Sequence, residues 1–444
     1  MSAATTTTTT TSTTPTKAPR FDGLVFSRYV ASCWIVAYHF YGQLNVGDPQ
    51  PQTAGVKLSD GDERLVLRVF SWGTMWTQYF FFLSGFVLAV ARLKSAKPDE
   101  LKPTWLFLAE RLTTTYPLYF LSLVIMVFNR LPDLYYATRA DWINLGLHVG
   151  LLQAWWPQMV CASSVEQKLF SREFDTGLFH WNVPAWFMSA LAFYWILFKP
   201  LYRVLRKIPD NLLWVVFCGL WMTSWTAALD MKIRNLPPSR VHHDFYRYNP
   251  LMSLHIFAAG MVFARLYAKA PSFLASPAYF FFVTLACSTS VRELTGMKNR
   301  HEPYETGLFY FLHNGGLMPV HALIVSGLCT KDPLSAFFAR LATIGNISYA
   351  QYILQAVVFR LVGISYHIAR TTNPRYFASR PYGTPSFQLV LPGTLFFLSF
   401  AAHYGFSVPV AAHLRKKLVV APPPPSSKYG ATDLAAAAAA SSKV

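Results

Sequence analysis

RYVASCWIVAYHF, residues 28 to 40, is an apolar stretch with one ionisable side chain near each end, Arg28 and His39. The ten residues between them carry no charge, so the stretch is apolar enough to enter a membrane. In an α-helix these two side chains share one face, because eleven residues complete about three turns, and they lie about 16 Å apart along the axis. An ionisable group at bilayer depth is costly, which makes His39 a candidate functional residue.

The composition outside this stretch also indicates a membrane protein. The 444 residues are 53% hydrophobic and 14% charged, whereas a soluble protein is about one quarter charged. The net charge is +18, but the basic residues are spread between apolar runs and form no nucleic-acid-binding motif. We therefore expect lipid, and no nucleic acid, as the partner of the basic residues.

Runs free of Asp, Glu, Lys and Arg recur along the chain, and most are near the 20 residues that a helix needs to cross a bilayer. The eleven runs are 29–47, 69–91, 112–129, 142–164, 176–198, 211–229, 249–264, 271–291, 306–330, 341–359 and 381–413.

The positions of the basic clusters indicate which of these eleven runs cross the membrane. They lie within residues 17–20, 92–111, 199–207, 265–269 and 415–417, and the positive-inside rule places such clusters on the cytoplasmic side. All of them fall on that side only if there are ten crossings and the weakest run, 142–164, is a re-entrant or interfacial piece. We predict an all-α, multi-pass membrane protein of about ten transmembrane helices with both termini cytoplasmic.

Both ends of the chain have low complexity. Residues 1–20 are Thr-rich, and residues 419–444 are rich in Pro, Ala and Ser. Neither segment can bury a core, so we predict disordered tails around one membrane-embedded domain, residues 21–418. The first segment has no apolar region of the kind found in a secretory signal.

Several segments together resemble the membrane-bound acyltransferases of the acyltransferase-3 type. The first helix of that family carries Arg, ten residues and then His, as Arg28 and His39 do here. YFFFLSGFVLAVAR (79–92) is similar to its Ser-Gly-Phe helix and is the most specific local match. Four later segments resemble family helices in the same order: 110–124, 183–201, 257–265 and 344–355.

The resemblance implies an O-acyltransferase that moves an acyl group, expected to be acetyl, from acyl-CoA to a hydroxyl of a sugar, lipid or small molecule. It implies no bound cofactor, with acyl-CoA as a co-substrate. The histidines occur in no metal-binding spacing, so we expect no metal site. Arg28, at the cytoplasmic end of the first helix, would hold the phosphates of the donor. His39 would act as general base. Ser84 and the backbone near Gly85 are candidate oxyanion donors, and Arg92 and Arg111 candidate phosphate contacts.

Three polar positions of the family are replaced, by Leu191, Gln355 and Ser407. The replacements at Leu191 and Gln355 leave open a non-catalytic relative, such as a small-molecule or lipid transporter. A third interpretation is the other large family of membrane acyltransferases, which uses His with Asn or Asp. The pair His313-Asn314 is its support, and His313 is also a candidate for lining the substrate cavity.

Overall fold

The computed structural model places the opening stretch inside one unbroken helix, α1 (Asp22–Val46). The structure describes residues 21–46, 73, 75–95, 98–129, 139–155, 181–234, 240–269, 310–329, 333–372 and 385–418. Every regular element assigned within them is helical. The predicted tails and the run at 271–291 lie outside the described residues.

The α-helices that follow α1 differ widely in length. They are α2 (Met75–Leu93), α3 (Thr104–Asn129), α4 (Arg139–Val149), α5 (Ala185–Lys207), α6 (Leu213–Met222), α7 (Thr226–Arg234), α8 (Arg240–Tyr248), α9 (Pro250–Lys269), α10 (Met318–Leu328), α11 (Pro333–Arg340), α12 (Ala342–Gly345), α13 (Ser348–Thr372), α14 (Pro385–Ala401) and α15 (Val408–Leu418). A π-helical turn, Leu312–Gly316, precedes α10, and a second one, Ala402–Ser407, joins α14 to α15.

Five helical segments of the described chain are long and apolar enough to cross a membrane, by length and composition. They are Met75–Leu93, Thr104–Asn129, Asp210–Ile233, Asp244–Lys269 and Val390–Leu418. The protein therefore has the helical, membrane-type architecture that its composition indicates. The number ten remains a prediction, because part of the chain lies outside the described residues.

The core is built around the closely packed pair α2 and α9. Ring contacts of Phe82 with Phe263 and of Phe86 with Tyr267, both at 5.7 Å, show that the two helices run in the same direction. Gly85 faces the α9 backbone so closely that a Cβ there would lie 2.0 Å from the Phe257 carbonyl oxygen.

Gly260 on α9 mirrors this contact. A Cβ at Gly260 would lie 2.0 Å from the Phe82 carbonyl oxygen of α2. Small residues that let two backbones meet are the usual basis of helix association in lipid. The two glycines thus fix how closely the central helices approach.

The run at 142–164, predicted not to span, begins with the short helix α4. Eleven residues reach only about 16 Å. Tyr119 of α3 donates to the His148 carbonyl oxygen at 2.7 Å, and Ser189 of α5 donates to that of Leu151 at 2.6 Å. The end of α4 and the turn after it are therefore held between α3 and α5.

Basic side chains from several helices meet at one end of the bundle, which we call the basic end. There Arg265 of α9 donates to the Ile208 carbonyl oxygen after α5 at 2.8 Å and also pairs with Asp210. Arg206 pairs with Asp99, which follows α2, at 3.1 Å. The carboxyl ends of α2, α5 and α9 therefore share this end.

Candidate functional site

His39 lies beside α13, which runs parallel to α1. Ser32 donates to the Ser348 carbonyl oxygen at 3.2 Å near the start of α13. Two turns further along α1, His39 Nδ1 lies 2.9 Å from Gln355 Oε1. The candidate base is thus bound by a residue 316 positions away in the sequence.

Gln355 is itself fixed within α13. Its side chain is 1% exposed, and its Nε2 donates to the Tyr352 carbonyl oxygen at 2.8 Å. The Tyr352 hydroxyl donates to the Pro184 carbonyl oxygen at 3.2 Å, and its ring lies edge-on to Phe187 at 5.4 Å. The start of α5 therefore supports the partner of His39.

Arg28 is half-buried on α1, eleven residues before His39. Because α1 is unbroken, the predicted separation of about 16 Å along one face holds. Arg28 lies within electrostatic range of Tyr79 on α2 and of His403 in the second π-helical turn. The Tyr79 hydroxyl is in turn 2.6 Å from Ser27 Oγ, so this part of α1 is fixed against α2.

Three half-buried arginines converge at the basic end: Arg92 of α2, Arg111 of α3 and Arg415 of α15. Arg92 and Arg415 both lie within electrostatic range of Arg111, and Arg415 Nη2 donates to Thr114 Oγ1 at 2.7 Å. The Nε–H groups of Arg111 and Arg415 are buried and have no partner within the described structure. We call these three residues the arginine cluster.

Ser84 and Gly85 do not lie beside His39. Helices α1 and α2 are antiparallel, since Ser27 meets Tyr79 while Phe21 meets Phe86 at 6.3 Å. Ser84 therefore lies level with the first turns of α1, and His39 is about 18 Å further along that helix than Ser27. Gly85 contacts the α9 backbone, as described above, which accounts for a glycine at this position.

His313 belongs to the first π-helical turn, which α2, α6 and α9 surround. Its carbonyl oxygen accepts from the Gln78 amide, and Trp221 Nε1 donates to the Gly316 carbonyl oxygen at 2.9 Å. His255 Nε2 lies 2.7 Å from the Asn314 carbonyl oxygen. His313 and Asn314 thus sit in a buried polar turn, whereas the contact that defines the His39 site is with α13.

The three replaced positions have different surroundings. Leu191 is buried in the apolar core and Ser407 is buried in the second π-helical turn. Gln355 contacts His39 directly. A site partner was therefore visible in the sequence only as a departure from the family pattern.

Arg415 is a further candidate residue that the sequence does not single out. The sequence showed it only as one of three adjacent basic residues, 415–417, of the type that anchors a helix end. Its neighbours Lys416 and Lys417 are exposed, whereas Arg415 is half-buried. Among the described residues, no three His, Cys, Asp or Glu side chains are grouped as a metal site requires.

Comparison with known proteins adds to this geometry. The sequence profile of the acyltransferase-3 family, described as an acyltransferase domain, matches residues 21–411. The chain is 26% identical over 208 residues to Acyltransferase MdmB of Streptomyces mycarofaciens. That alignment covers 46% of this chain and 45% of the relative, so it spans less than half of either protein. No solved structure matches the chain significantly.

Proposed function

Because the chain belongs to the acyltransferase-3 family, we propose that it is an integral membrane O-acyltransferase. It would move an acyl group, acetyl in the simplest case, from acyl-CoA to a hydroxyl of a sugar, lipid or small-molecule acceptor. The observation that carries this proposal is the partly buried contact between His39 and Gln355. An imidazole held in this way in an apolar helix is suited to proton transfer.

In the proposed reaction His39 removes the proton from the acceptor hydroxyl while the hydroxyl oxygen attacks the thioester carbonyl carbon. The resulting oxyanion collapses, the carbon–sulfur bond breaks, and the CoA thiolate takes up the proton from the imidazolium. An ester and free CoA are the products. A hydroxyl is a poor nucleophile without such a base.

The donor would enter from the basic end. Three arginines meet there while the nearby Glu110 is paired with Lys102, so the arginine cluster has surplus positive charge. Buried N–H groups without partners are costly, and phosphate oxygens would satisfy those of Arg111 and Arg415. Arg28 would hold the inner end of the nucleotide portion, and the pantetheine arm would follow α1 towards His39.

Ser84, Gly85 and His313 are better placed to contact the bound donor than to contact the thioester carbonyl at His39. Ser84 is half-buried on the Arg28 side of the bundle, where it would meet the donor. Gly85 would act by setting the helix spacing there. His313 would line the cavity from the side of α2 and α9.

The proposed topology has the basic end in the cytoplasm, ten crossings and both termini on the cytoplasmic side. It is supported by the meeting of basic clusters from α2, α5 and α9 at one end. Cysteine labelling from outside of a residue in the 208–212 turn tests it. Reactivity there would overturn the proposed orientation.

The central test uses purified protein in lipid nanodiscs with radiolabelled acetyl-CoA and a membrane lipid and glycan extract as acceptor. His39→Ala should lower label transfer or CoA release at least about 100-fold, the usual contribution of a general base. His413→Ala, an exposed histidine on α15, is the matched control and should retain activity. Transfer that survives His39→Ala undiminished would refute the mechanism.

The alternative function, a transporter with a polar cavity, makes a different prediction. CoA would not be released, and the label would cross the bilayer of a proteoliposome or remain on the donor. Failure of the wild-type protein to bind CoA in equilibrium dialysis would overturn the donor assignment itself.

A further inference from the structure

We infer that Gln355 is a positioning residue that fixes the tautomer of His39, so that Nδ1 carries the proton and Nε2 is the basic nitrogen. The catalytic consequence of this inference rests on the proposed function. The tautomer itself follows from hydrogen-bond chemistry in the structure and can be measured without any assay of acyl transfer.

The contact with Tyr352 fixes the orientation of the Gln355 amide. Its Nε2 lies 2.8 Å from the Tyr352 carbonyl oxygen, and a carbonyl oxygen can only accept a hydrogen bond. The amide atom at that position must therefore be the NH₂ group. The amide oxygen is then the atom that faces His39.

The tautomer follows from this orientation. The Gln355 amide oxygen lies 2.9 Å from His39 Nδ1, and an amide oxygen can only accept. Nδ1 must therefore be the N–H donor. In a neutral imidazole the second nitrogen, Nε2, then holds the lone pair.

Rotation of the amide would place its oxygen against the Tyr352 carbonyl oxygen, where neither atom can donate, and the hydrogen bond to Tyr352 would be lost. The other tautomer of His39 would therefore require a Gln355 amide that lacks this bond. Gln355 is almost fully buried, so water cannot compensate for this loss. Tyr352 is fixed in turn by Pro184 and Phe187.

A neutral partner suits this role better than a carboxylate would. An amide orients the ring without adding a negative charge that would stabilise the imidazolium form. An amide partner therefore leaves the lone pair on Nε2 available to accept a proton. The acceptor hydroxyl must approach the ring edge that carries Nε2, which is the edge directed away from Gln355.

The matched control for a Gln355 variant is Gln351, one turn earlier on α13. Gln351 is also buried and also bonds to α1, with Nε2 at 3.2 Å from Cys33 Sγ. Replacing either glutamine by Leu removes a polar contact between the same two helices. Of the two changes, the one at Gln355 removes a hydrogen-bond partner of His39.

The direct test is ¹⁵N NMR of ring-labelled histidine in nanodiscs, with His39 assigned by its absence from His39→Ala. The wild type and Gln351→Leu should show a protonated Nδ1 and an unprotonated Nε2. Gln355→Leu should show a mixture of both tautomers. An unprotonated Nδ1 in the wild type, or the same single tautomer in Gln355→Leu, would overturn the inference.

Kinetics test the consequence for catalysis. Gln355→Leu should lower kcat about 10- to 100-fold, the range found when the orienting partner of a metal-bound histidine is lost, with little change in KM for acyl-CoA. Gln351→Leu should leave kcat within about twofold. Equal losses in the two variants would show that Gln355 has only a structural role.

A size-matched variant gives an independent test of the role of Gln355. Gln355→Glu should move the acid limb of the pH–activity profile up by about one unit or more, because the carboxylate stabilises the protonated, inactive ring. An unmoved limb would contradict the inference. If the tautomer is as inferred but His39→Ala keeps full activity, then the proposed function fails and the inference stands.

Discussion

Substituting Gly85 by Ala tests the packing of the central helices. The new methyl carbon would lie 2.0 Å from the Phe257 carbonyl oxygen and 3.2 Å from the Met261 amide nitrogen. Carbon and carbonyl oxygen approach one another to about 3.3 Å in tight helix contacts. Helices α2 and α9 would therefore have to separate by about 1.3 Å at this point.

The expected cost follows from that separation. A gap of even about 0.5–1 Å removes a quarter to a half of the dispersion attraction, and overpacking typically costs about 1–3 kcal/mol. We take the upper value of the overpacking cost, about 3 kcal/mol, because the obstructing atoms belong to the backbone and cannot rotate away. Ala is a better helix former than Gly by about 1 kcal/mol, so we expect a net destabilisation of about 2 kcal/mol.

The measurement is unfolding by SDS titration in mixed micelles, followed by tryptophan fluorescence. A loss of about 2 kcal/mol corresponds to a roughly 30-fold shift in the unfolding equilibrium. Gly219→Ala on α6 is the matched control, since its new methyl group would meet nothing within 4 Å. We expect that control to be neutral or stabilised by up to about 1 kcal/mol.

A double variant provides a second test of this packing. Gly260→Ala meets the Phe82 carbonyl oxygen in the same crossing, and one separation of the helices would accommodate both methyl groups. The two losses should therefore be less than additive. The packing interpretation is refuted if Gly85→Ala unfolds at the same SDS fraction as Gly219→Ala, or if the double variant shows fully additive losses.

Three further outcomes are expected. Arg415→Gln should raise the KM for acyl-CoA at least about tenfold, as the loss of a charged hydrogen bond does. The control Lys417→Gln should leave this KM within about twofold of the wild type. Equal KM values for the two variants in steady-state assays would show that Arg415 does not bind the donor. Asn182→Ala should lower the free energy of unfolding by about 1–3 kcal/mol. Asn182 is fully buried and donates to Ser122 Oγ and to the Ile353 carbonyl oxygen. Wild-type stability of the variant in SDS titration would contradict this prediction. Gly315→Ala should cost about 1–3 kcal/mol in the same measurement because residue 315 has a φ of 104°, and an unchanged midpoint would show that the turn relaxes.

The sequence predicted the helices better than their ends. Helix α3 begins at Thr104, eight residues before its apolar run at 112–129, because Glu110 pairs with Lys102 and is tolerated inside the helix. Helix α5 continues to Lys207, beyond its run, because its last turns reach the basic end. Charged residues at the ends of a helix lie outside its uncharged run, so the run is shorter than the helix.

Short and irregular elements were not predicted. Helices α11 and α12 are too short to give a spanning signal, yet they pack against α1, where a Cβ at Gly345 would lie 2.5 Å from the Val25 carbonyl oxygen. The π-helical turn at Leu312–Gly316 interrupts an apolar run that read as one helix. Its freed carbonyl groups are satisfied by side chains of other helices, which no local pattern records.

The site was predictable only within one helix. Arg28 and His39 share a face because helical periodicity relates positions in the same segment. Gln355 and Arg415 belong to other helices, and the pairing of helices depends on packing that a single sequence does not specify. In the sequence Gln355 stands out only as a departure from the family pattern, and only the structure shows that it contacts His39.

The contact between His39 and Gln355 also has a consequence for biosynthesis. Its two members are 316 residues apart, and ribosomes add about 5–20 residues per second. Helix α1 must therefore wait roughly 15–60 s after leaving the ribosome before its partner has been made. During that interval the Arg28–His39 face of α1 has no contact with α13. A nascent chain that stops before α13 would carry both side chains but would lack Gln355, which bonds to the imidazole.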